Sequence, residues 1–161
     1  MKKHHPSIDT PLPIYSHWID EIENLNKIQF PSECVVLLLC ADFSKASGQL
    51  LVDIANQLIL KGVHYICCWG DECEKGHDCF DEANVILQID DGFERLVMST
   101  WHSNETLDEA LWFCIFNAKP EDKFWDKCST LVVSVGDHVP INAIPDLLDD
   151  IKSLDERIIS S

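Results

Sequence analysis

Four apolar segments of the chain are each followed by an acidic residue or a histidine. The residues at these positions are Asp42, Asp71, His102 and Asp137. Parallel α/β sheets bind ligands beside the carboxyl ends of their strands, so such side chains can meet in one site. If the protein is an enzyme, we expect Asp42, His102 and Asp137 to be catalytic. Carboxylates at neighbouring strand ends could also hold magnesium, but the favoured interpretation includes no metal and no other cofactor.

A second group of reactive side chains lies in the stretch CCWGDECEKGHDC. Its four possible zinc ligands are Cys68, Cys73, His77 and Cys79. Their spacing matches no common paired-ligand zinc motif. Cys73, His77 and Asp81 are spaced four apart, which favours one face of a helix on which Asp81 can hydrogen-bond His77. The remaining alternative is a low-pKa thiol at a helix start that acts as a nucleophile or redox sensor.

Two junctions between a strand and a helix carry polar residues that could bind a ligand. The first lies beside His102 and Glu105, where the free backbone N–H groups at the start of a helix could bind an anion. His102 could act there as acid, base or hydrogen-bond donor. The alternative is that the polar residues there only satisfy the first turn. The second, DFSKASG at residues 42–48, is neither a Walker loop nor a dinucleotide fingerprint. It resembles the flavodoxin phosphate loop only faintly, so FMN is not expected.

Strands and helices that alternate along the chain must position these residues. The predicted strands are Cys34–Cys40, Val63–Trp69, Leu96–Trp101 and Leu131–Val135. The first is apolar throughout, as in a strand covered on both faces. Helices are predicted after Ser16, after Ser44 or Ser47, from about Glu72 or Asp78 to Ile89, after the Thr106/Glu109 capping box, and from Pro145.

This alternation predicts a three-layer α/β sandwich around a four-stranded, mainly parallel sheet of Rossmann-like or flavodoxin-like type. Additional helices are expected at both ends of the chain. Residues 1–13 are expected to form a mobile leader and residues 14–161 a single domain. A strand order of 2-1-3-4 would bring Asp42 close to His102.

The charge of the chain restricts its partners. There are 28 acidic and 12 basic residues, for a formal charge of −16, which repels nucleic acids and anionic membranes. No apolar run has the 18 or more residues of a membrane helix, so we expect a cytoplasmic protein. The segment Asp71–Glu94 holds nine acidic residues and could contact a basic protein. The candidate contact residues are Glu72, Glu74, Asp78 and Glu82.

Several of the eight cysteines lie in apolar runs, so we expect reduced thiols. The stretches WGDECEKGHDCFDE from Trp69 and STWHSNETLDEALWF from Ser99 resemble motifs of an uncharacterised family of small bacterial α/β domains with no known activity. The resemblance covers about residues 34–136. It implies a bacterial cytoplasmic protein and indicates which residues matter, without supplying a function. Those residues are Cys73, His77, Asp78, Asp81, His102 and Glu105.

Two functional hypotheses follow. The first is a non-catalytic interaction protein, of a neutralising or immunity type, whose acidic face binds a basic protein. The second is a small hydrolase or nucleotide-handling enzyme with its site at the strand ends. The oligomeric state is left open.

Overall fold

The computed structural model describes all 161 residues and contains one six-stranded sheet. Its strands are β1 (Lys2–His4), β2 (Ile14–Ile19), β3 (Cys34–Cys40), β4 (Val63–Trp69), β5 (Met98–Trp101) and β6 (Cys128–Val135). Their order across the sheet is β1-β2-β6-β3-β4-β5. β1 is antiparallel to β2, and every other pair is parallel. The α/β class is confirmed, but the sheet has six strands rather than four.

Helices cover both faces of the sheet. They are α1 (Gly48–Lys61), α2 (Cys73–Asp90), α3 (Leu107–Phe116), α4 (Ala143–Asp149) and α5 (Ile151–Ile159). α1, α2 and a 3₁₀ helix at Ile22–Lys27 cover one face, and the other three α-helices cover the opposite face. All seven residues of β3 are buried, because this strand lies between both apolar layers. No helix has the length and hydropathy needed to cross a membrane.

Three helix boundaries follow from residues that the sequence identifies. Ser47 Oγ accepts a hydrogen bond from Leu50 N at 3.2 Å, which caps the start of α1. Gly62 ends that helix with a φ of 132°, a conformation that favours glycine. Thr106 and Glu109 form both hydrogen bonds of the predicted capping box at the start of α3.

The predicted helix after Ser16 is wrong. Residues 14–19 form β2, which pairs with β6 along its whole length. Buried and more exposed residues alternate in this strand. The apolar residues that follow, Ile22 and Leu25, lie in the 3₁₀ helix. Residues 2–4 of the expected leader form β1, where His4 is buried and hydrogen-bonds Asp149 and Ser16. Pairing with distant strands therefore outweighs the local helical spacing.

The predicted order of the four central strands is also wrong. β3 lies between β6 and β4, and β5 lies beyond β4. The point at which the strand order reverses is therefore between β3 and β6. Neighbouring strands are about 4.8 Å apart, and β4 separates β3 from β5. Asp42 and His102 therefore do not follow adjacent strands.

The expectation of reduced thiols is wrong for one pair of cysteines. Cys34 and Cys128 form a disulfide across the first residues of β3 and β6, with their Cα atoms 4.6 Å apart. The other six cysteines are free and buried. The two paired residues are separated by 94 positions in the chain. Only the pairing of β3 with β6 brings them together.

Candidate functional site at the carboxyl ends of the strands

A cavity of about 330 Å³ opens where β2, β3 and β6 end, at the point where the strand order reverses. Its acidic lining residues are Asp20, Glu21, Glu23, Asp42 and Asp137. Lys45 and His138 supply its basic side chains. Asp42 and Asp137, both identified from the sequence, therefore share one cavity, and His102 does not line it. We refer to this feature as the strand-end cavity.

The carboxylate of Asp42 is held in place by the turn that follows β3. Its Oδ1 accepts hydrogen bonds from Ser44 N at 3.0 Å and Ser44 Oγ at 2.5 Å. The Ser44 hydroxyl is the main cause that lowers the pKa of Asp42, and nearby Lys45 and His138 act in the same direction. Phe43 is fully buried and anchors the turn. Asp42 therefore presents an oriented, ionised carboxylate at neutral pH.

Asp20 occupies the equivalent position after β2. Its Oδ1 accepts hydrogen bonds from Asn24 Nδ2 at 2.7 Å and Glu21 N at 3.0 Å. The hydrogen bond from Asn24 is the first cause that lowers the pKa of Asp20. Sequence reasoning missed Asp20 because the helix predicted after Ser16 covers the second half of β2 and Asp20 itself. Had residues 14–19 been assigned as a strand, the strand-end rule would have identified Asp20.

Asp137 and His138 reach the cavity through a turn at Gly136, whose φ is 63°. Trp18 Nε1 donates a hydrogen bond to Gly136 O at 2.7 Å and fixes this turn to β2. His138 Nε2 is buried without a hydrogen-bond partner, and the His138 ring meets the edge of Trp69 at a centroid distance of 5.5 Å. Sequence reasoning missed His138, although it directly follows Asp137. The strand-end rule points to the first titratable residue after each strand, and His138 is the second after β6.

His102 has a separate, largely satisfied environment at the end of β5. Its side chain is 3 % exposed, with Nδ1 2.7 Å from Glu105 Oε2 and Nε2 3.0 Å from Thr100 Oγ1. Its ring packs against Phe113. Burial alone would lower the pKa of His102, but hydrogen bonds with Cys67 and Glu105 raise it above the ordinary value. These contacts are those of a structural histidine that ties β5 to α3.

The four predicted contact residues lie together on α2 and the residue before it. Glu72, Glu74, Asp78 and Glu82 line one shallow groove of about 390 Å³. Lys75 lies among them, and its Nζ donates to Ala46 O at 2.6 Å. We refer to this feature as the α2 groove.

Most of the cysteine and histidine motif lies on the face of α2 that packs against the rest of the protein, which gives these residues a structural role. His77 and Asp81 lie on one face as their spacing predicts, with His77 Nε2 3.4 Å from Asp81 Oδ2, but the predicted hydrogen bond is absent and Asp81 accepts one from Ser99 Oγ instead. The His77 ring lies 4.5 Å from that of Trp101. Cys73 is 2 % exposed, and burial raises its pKa, which opposes the low-pKa thiol alternative. The possible zinc ligands of this motif are not gathered within 4.8 Å of one another.

The strand-end cavity and the α2 groove belong to one surface. The turn at residues 43–45 joins them: Phe43 N donates to Asp71 O at 2.9 Å, and Lys75 reaches Ala46. The two features together present nine carboxylates and two lysines. We call this combined region the acidic carboxyl-end surface. Its negative potential favours cationic groups.

The family model for a domain of unknown function, DUF7684, matches residues 15–151. The chain belongs to this family. The match includes both motif stretches and extends beyond residues 34–136 in both directions, so membership of an uncharacterised family is confirmed. No curated protein and no solved structure matches the chain.

Proposed function

We propose that this DUF7684 protein binds a basic protein through its acidic carboxyl-end surface. The observation that carries the proposal is the strand-end cavity, in which five carboxylates surround a space of about 330 Å³. That volume is at the lower end of the range for small-ligand pockets, about 300–1,000 Å³. It has room for one arginine or lysine side chain that protrudes from a partner.

The carboxylates suit arginine in particular. Asp20 and Asp42 are oriented by hydrogen bonds within their own turns, so little rotamer entropy remains to be lost on binding. A guanidinium group can donate two parallel hydrogen bonds to a carboxylate, which an ammonium group cannot do in the same geometry.

The α2 groove would add longer-range attraction to this local contact. Its carboxylates are solvent-exposed, so each contributes little to affinity but raises the rate of encounter with a basic surface. Such attraction decays over about 8 Å at physiological salt. We therefore expect an interaction whose association rate falls with added salt.

In this proposal the protein acts in the bacterial cytoplasm as a Rossmann-like interaction domain, of a neutralising or immunity type. Its partners do not include nucleic acids or membranes, because the charge of −16 repels both. Binding uses no cofactor. A partner that is itself strongly basic is the chemistry that this surface complements.

Charge reversal in two variants with the same change in net charge tests the proposal. Glu21→Lys with Asp137→Lys changes the cavity, whereas Asp122→Lys with Asp126→Lys makes the same change in net charge on the 3₁₀ helix before β6, at the other end of the sheet. Immobilised wild type and both variants are compared for proteins captured from cell lysate at physiological salt.

We expect a basic protein to be retained by the wild type and the control variant and lost from the cavity variant. A Glu74→Lys, Glu82→Lys variant of the α2 groove should weaken capture less. If the control variant loses the captured protein as fully as the cavity variant, only the overall charge matters and the proposed site is wrong.

A second candidate function is a small hydrolase or nucleotide-handling enzyme. It is favoured by one observation, the presence of His138 in the same cavity as Asp42 and Asp137. In this role His138 would be the acid or base, and His102 would have a structural role. A panel of phosphate esters and nucleotides, with and without magnesium, is the test. Activity that survives His102→Ala but not His138→Ala would support it, and inert wild type would exclude it for that panel.

A further inference from the structure

A group of possible metal ligands lies at the amino-terminal end of the sheet, opposite the strand-end cavity. Cys34 is the first residue of β3, Cys128 is the first of β6, and His64 is the second of β4. One ligand atom from each lies within 4.8 Å of the other two, and no other set of three or more histidine, cysteine or acidic residues meets this condition. Three adjacent strands therefore each contribute one residue to this group.

No hydrogen bond within the protein explains the position of His64. It is 8 % exposed, and no side-chain hydrogen bond of the protein involves its ring nitrogens. A neutral imidazole has one ring nitrogen with a free lone pair, through which it can bind a metal ion. Phe124 covers the ring edge-on at a centroid distance of 4.4 Å.

The two cysteines are also shielded. Cys34 is 2 % and Cys128 is 3 % exposed, and they face each other directly in the register of the parallel pair. Cys34 Sγ is 3.8 Å from the carbonyl oxygen of Phe124. Two sulfur atoms and an imidazole nitrogen form the ligand set preferred by zinc and related thiophilic cations.

We propose that the reduced protein binds one divalent thiophilic cation, zinc or a close analogue, through Cys34, His64 and Cys128. Two thiolates balance the charge of a divalent cation, so the complex adds no net charge to a buried site. Zn–S bonds of about 2.3 Å in tetrahedral geometry place two sulfurs about 3.8 Å apart. Neighbouring strands, about 4.8 Å apart, allow that separation after side-chain rotation.

Disulfide formation and metal binding exclude each other at this site. A dithiol reductant opens the Cys34–Cys128 bond by thiol–disulfide exchange, in which two electrons and two protons reach the cysteines and the reductant becomes a disulfide. Metal binding then displaces the two thiol protons. The site is therefore metal-competent only in the reduced state, and it is distinct from the acidic carboxyl-end surface.

Zinc uptake by the full-length chain tests the proposal. The protein is treated with a phosphine reductant, loaded with zinc in excess and desalted, and bound metal is measured per chain. Unreduced protein is treated in parallel. We expect one zinc per reduced chain, essentially none per disulfide-bonded chain, and a higher Tm for the reduced protein with zinc than without it.

X-ray absorption of the zinc-loaded wild type identifies the ligands without any substitution. The expected first shell has two sulfurs at about 2.3 Å and one imidazole nitrogen at about 2.0 Å, with solvent at the fourth position. This measurement keeps the proposal falsifiable even if cysteine variants fold poorly.

Three variants assign the ligands. Cys34→Ser with Cys128→Ser should abolish zinc uptake, and His64→Gln should raise the Kd at least tenfold. Cys73→Ser with Cys79→Ser, in the other cysteine motif, is the matched control and should bind zinc like the wild type. The proposal is overturned if reduced wild type takes up no zinc, if the control variant loses it, or if His64→Gln leaves the Kd unchanged.

Discussion

Gly76 on α2 packs against the turn that lines the strand-end cavity. A methyl group added at this residue should therefore lower the stability of the protein. A Cβ at this residue would lie 2.5 Å from Cε1 and 2.7 Å from Cδ1 of Phe43. Phe43 is fully buried and belongs to the turn that carries Asp42 and Lys45 into the strand-end cavity. Gly76→Ala therefore forces the ring, and with it the turn, to move.

Two opposing effects set the size of the change in stability. Overpacking of a close-packed core costs about 1–3 kcal/mol. Replacing glycine by alanine inside a helix contributes about 1 kcal/mol in the other direction. The expected net loss is therefore about 1 kcal/mol. For a domain of this size, that loss lowers Tm by about 2–4 °C.

Urea unfolding measured by circular dichroism provides the assay, and Gly48→Ala is the matched control. Gly48 is the first residue of α1, and a Cβ there would meet no atom within 4 Å. This control should be neutral or slightly stabilising. Stabilisation of Gly76→Ala by about 1 kcal/mol, the full gain expected for alanine in a helix, would refute the reasoning, because the Phe43 ring would then yield without cost.

A double mutant separates the clash from other effects. Phe43→Leu removes ring atoms that the new methyl group would meet. We expect Gly76→Ala to destabilise the Phe43→Leu background less than it destabilises the wild type, with a coupling energy of about 0.5–3 kcal/mol. If the two substitutions change the free energy of unfolding additively, the loss caused by Gly76→Ala does not come from contact with Phe43.

Three further predictions concern the core, the buried histidine that follows β5, and the amino terminus. Leu38→Ala, at a fully buried position in β3, should cost about 2–5 kcal/mol, whereas Leu60→Ala, which is 59 % exposed, should stay within about 0.5 kcal/mol in urea unfolding. The folded-state pKa of His102 lies above 6.5, so its contribution to stability is complete below the unfolded pKa and is lost as pH rises through the folded pKa. NMR titration should show that raised pKa, and Glu105→Gln should lower it. His4→Ala should cost about 1–3 kcal/mol, because it leaves the buried Ser16 hydroxyl without its partner and removes the hydrogen bond to Asp149, and it should speed hydrogen exchange in β1 and β2.

The sequence predicted the elements whose signals are local. The apolar run at Cys34–Cys40 and the run at Val63–Trp69 match β3 and β4 at both ends. Ser47 and Gly62 bound α1, because a cap and a left-handed exit are properties of a few neighbouring residues.

Features that depend on distant pairing could not be predicted in the same way. Residues 14–19 form a strand because β6 lies beside them, and no local pattern distinguished that strand from a helix. The strand order could not be predicted either, since periodicity carries no information about which strands are neighbours. The Cys34–Cys128 disulfide could not be predicted for the same reason, because it depends on β3 and β6 being neighbours.

The candidate site was predictable in part for the same reason. Asp42 and Asp137 were found because the strand-end rule needs only the strands themselves. The association of His102 with Asp42 depended on the assumed order, and it failed with that order. Asp20 depended on recognising β2. His138 could have been found by extending the rule one residue past Asp137.

Mapping by NMR with a short arginine-rich peptide tests the central claim most directly. The peptide is titrated into ¹⁵N-labelled full-length protein at physiological salt. If the acidic carboxyl-end surface is the binding site, amide shifts should change mainly at residues 20–23, 42–45 and 135–138, with smaller changes along the α2 groove. Those changes should disappear in the Glu21→Lys, Asp137→Lys variant. Shift changes spread evenly over all exposed carboxylates, or centred on the 3₁₀ helix at Asp122–Lys127, would contradict the account.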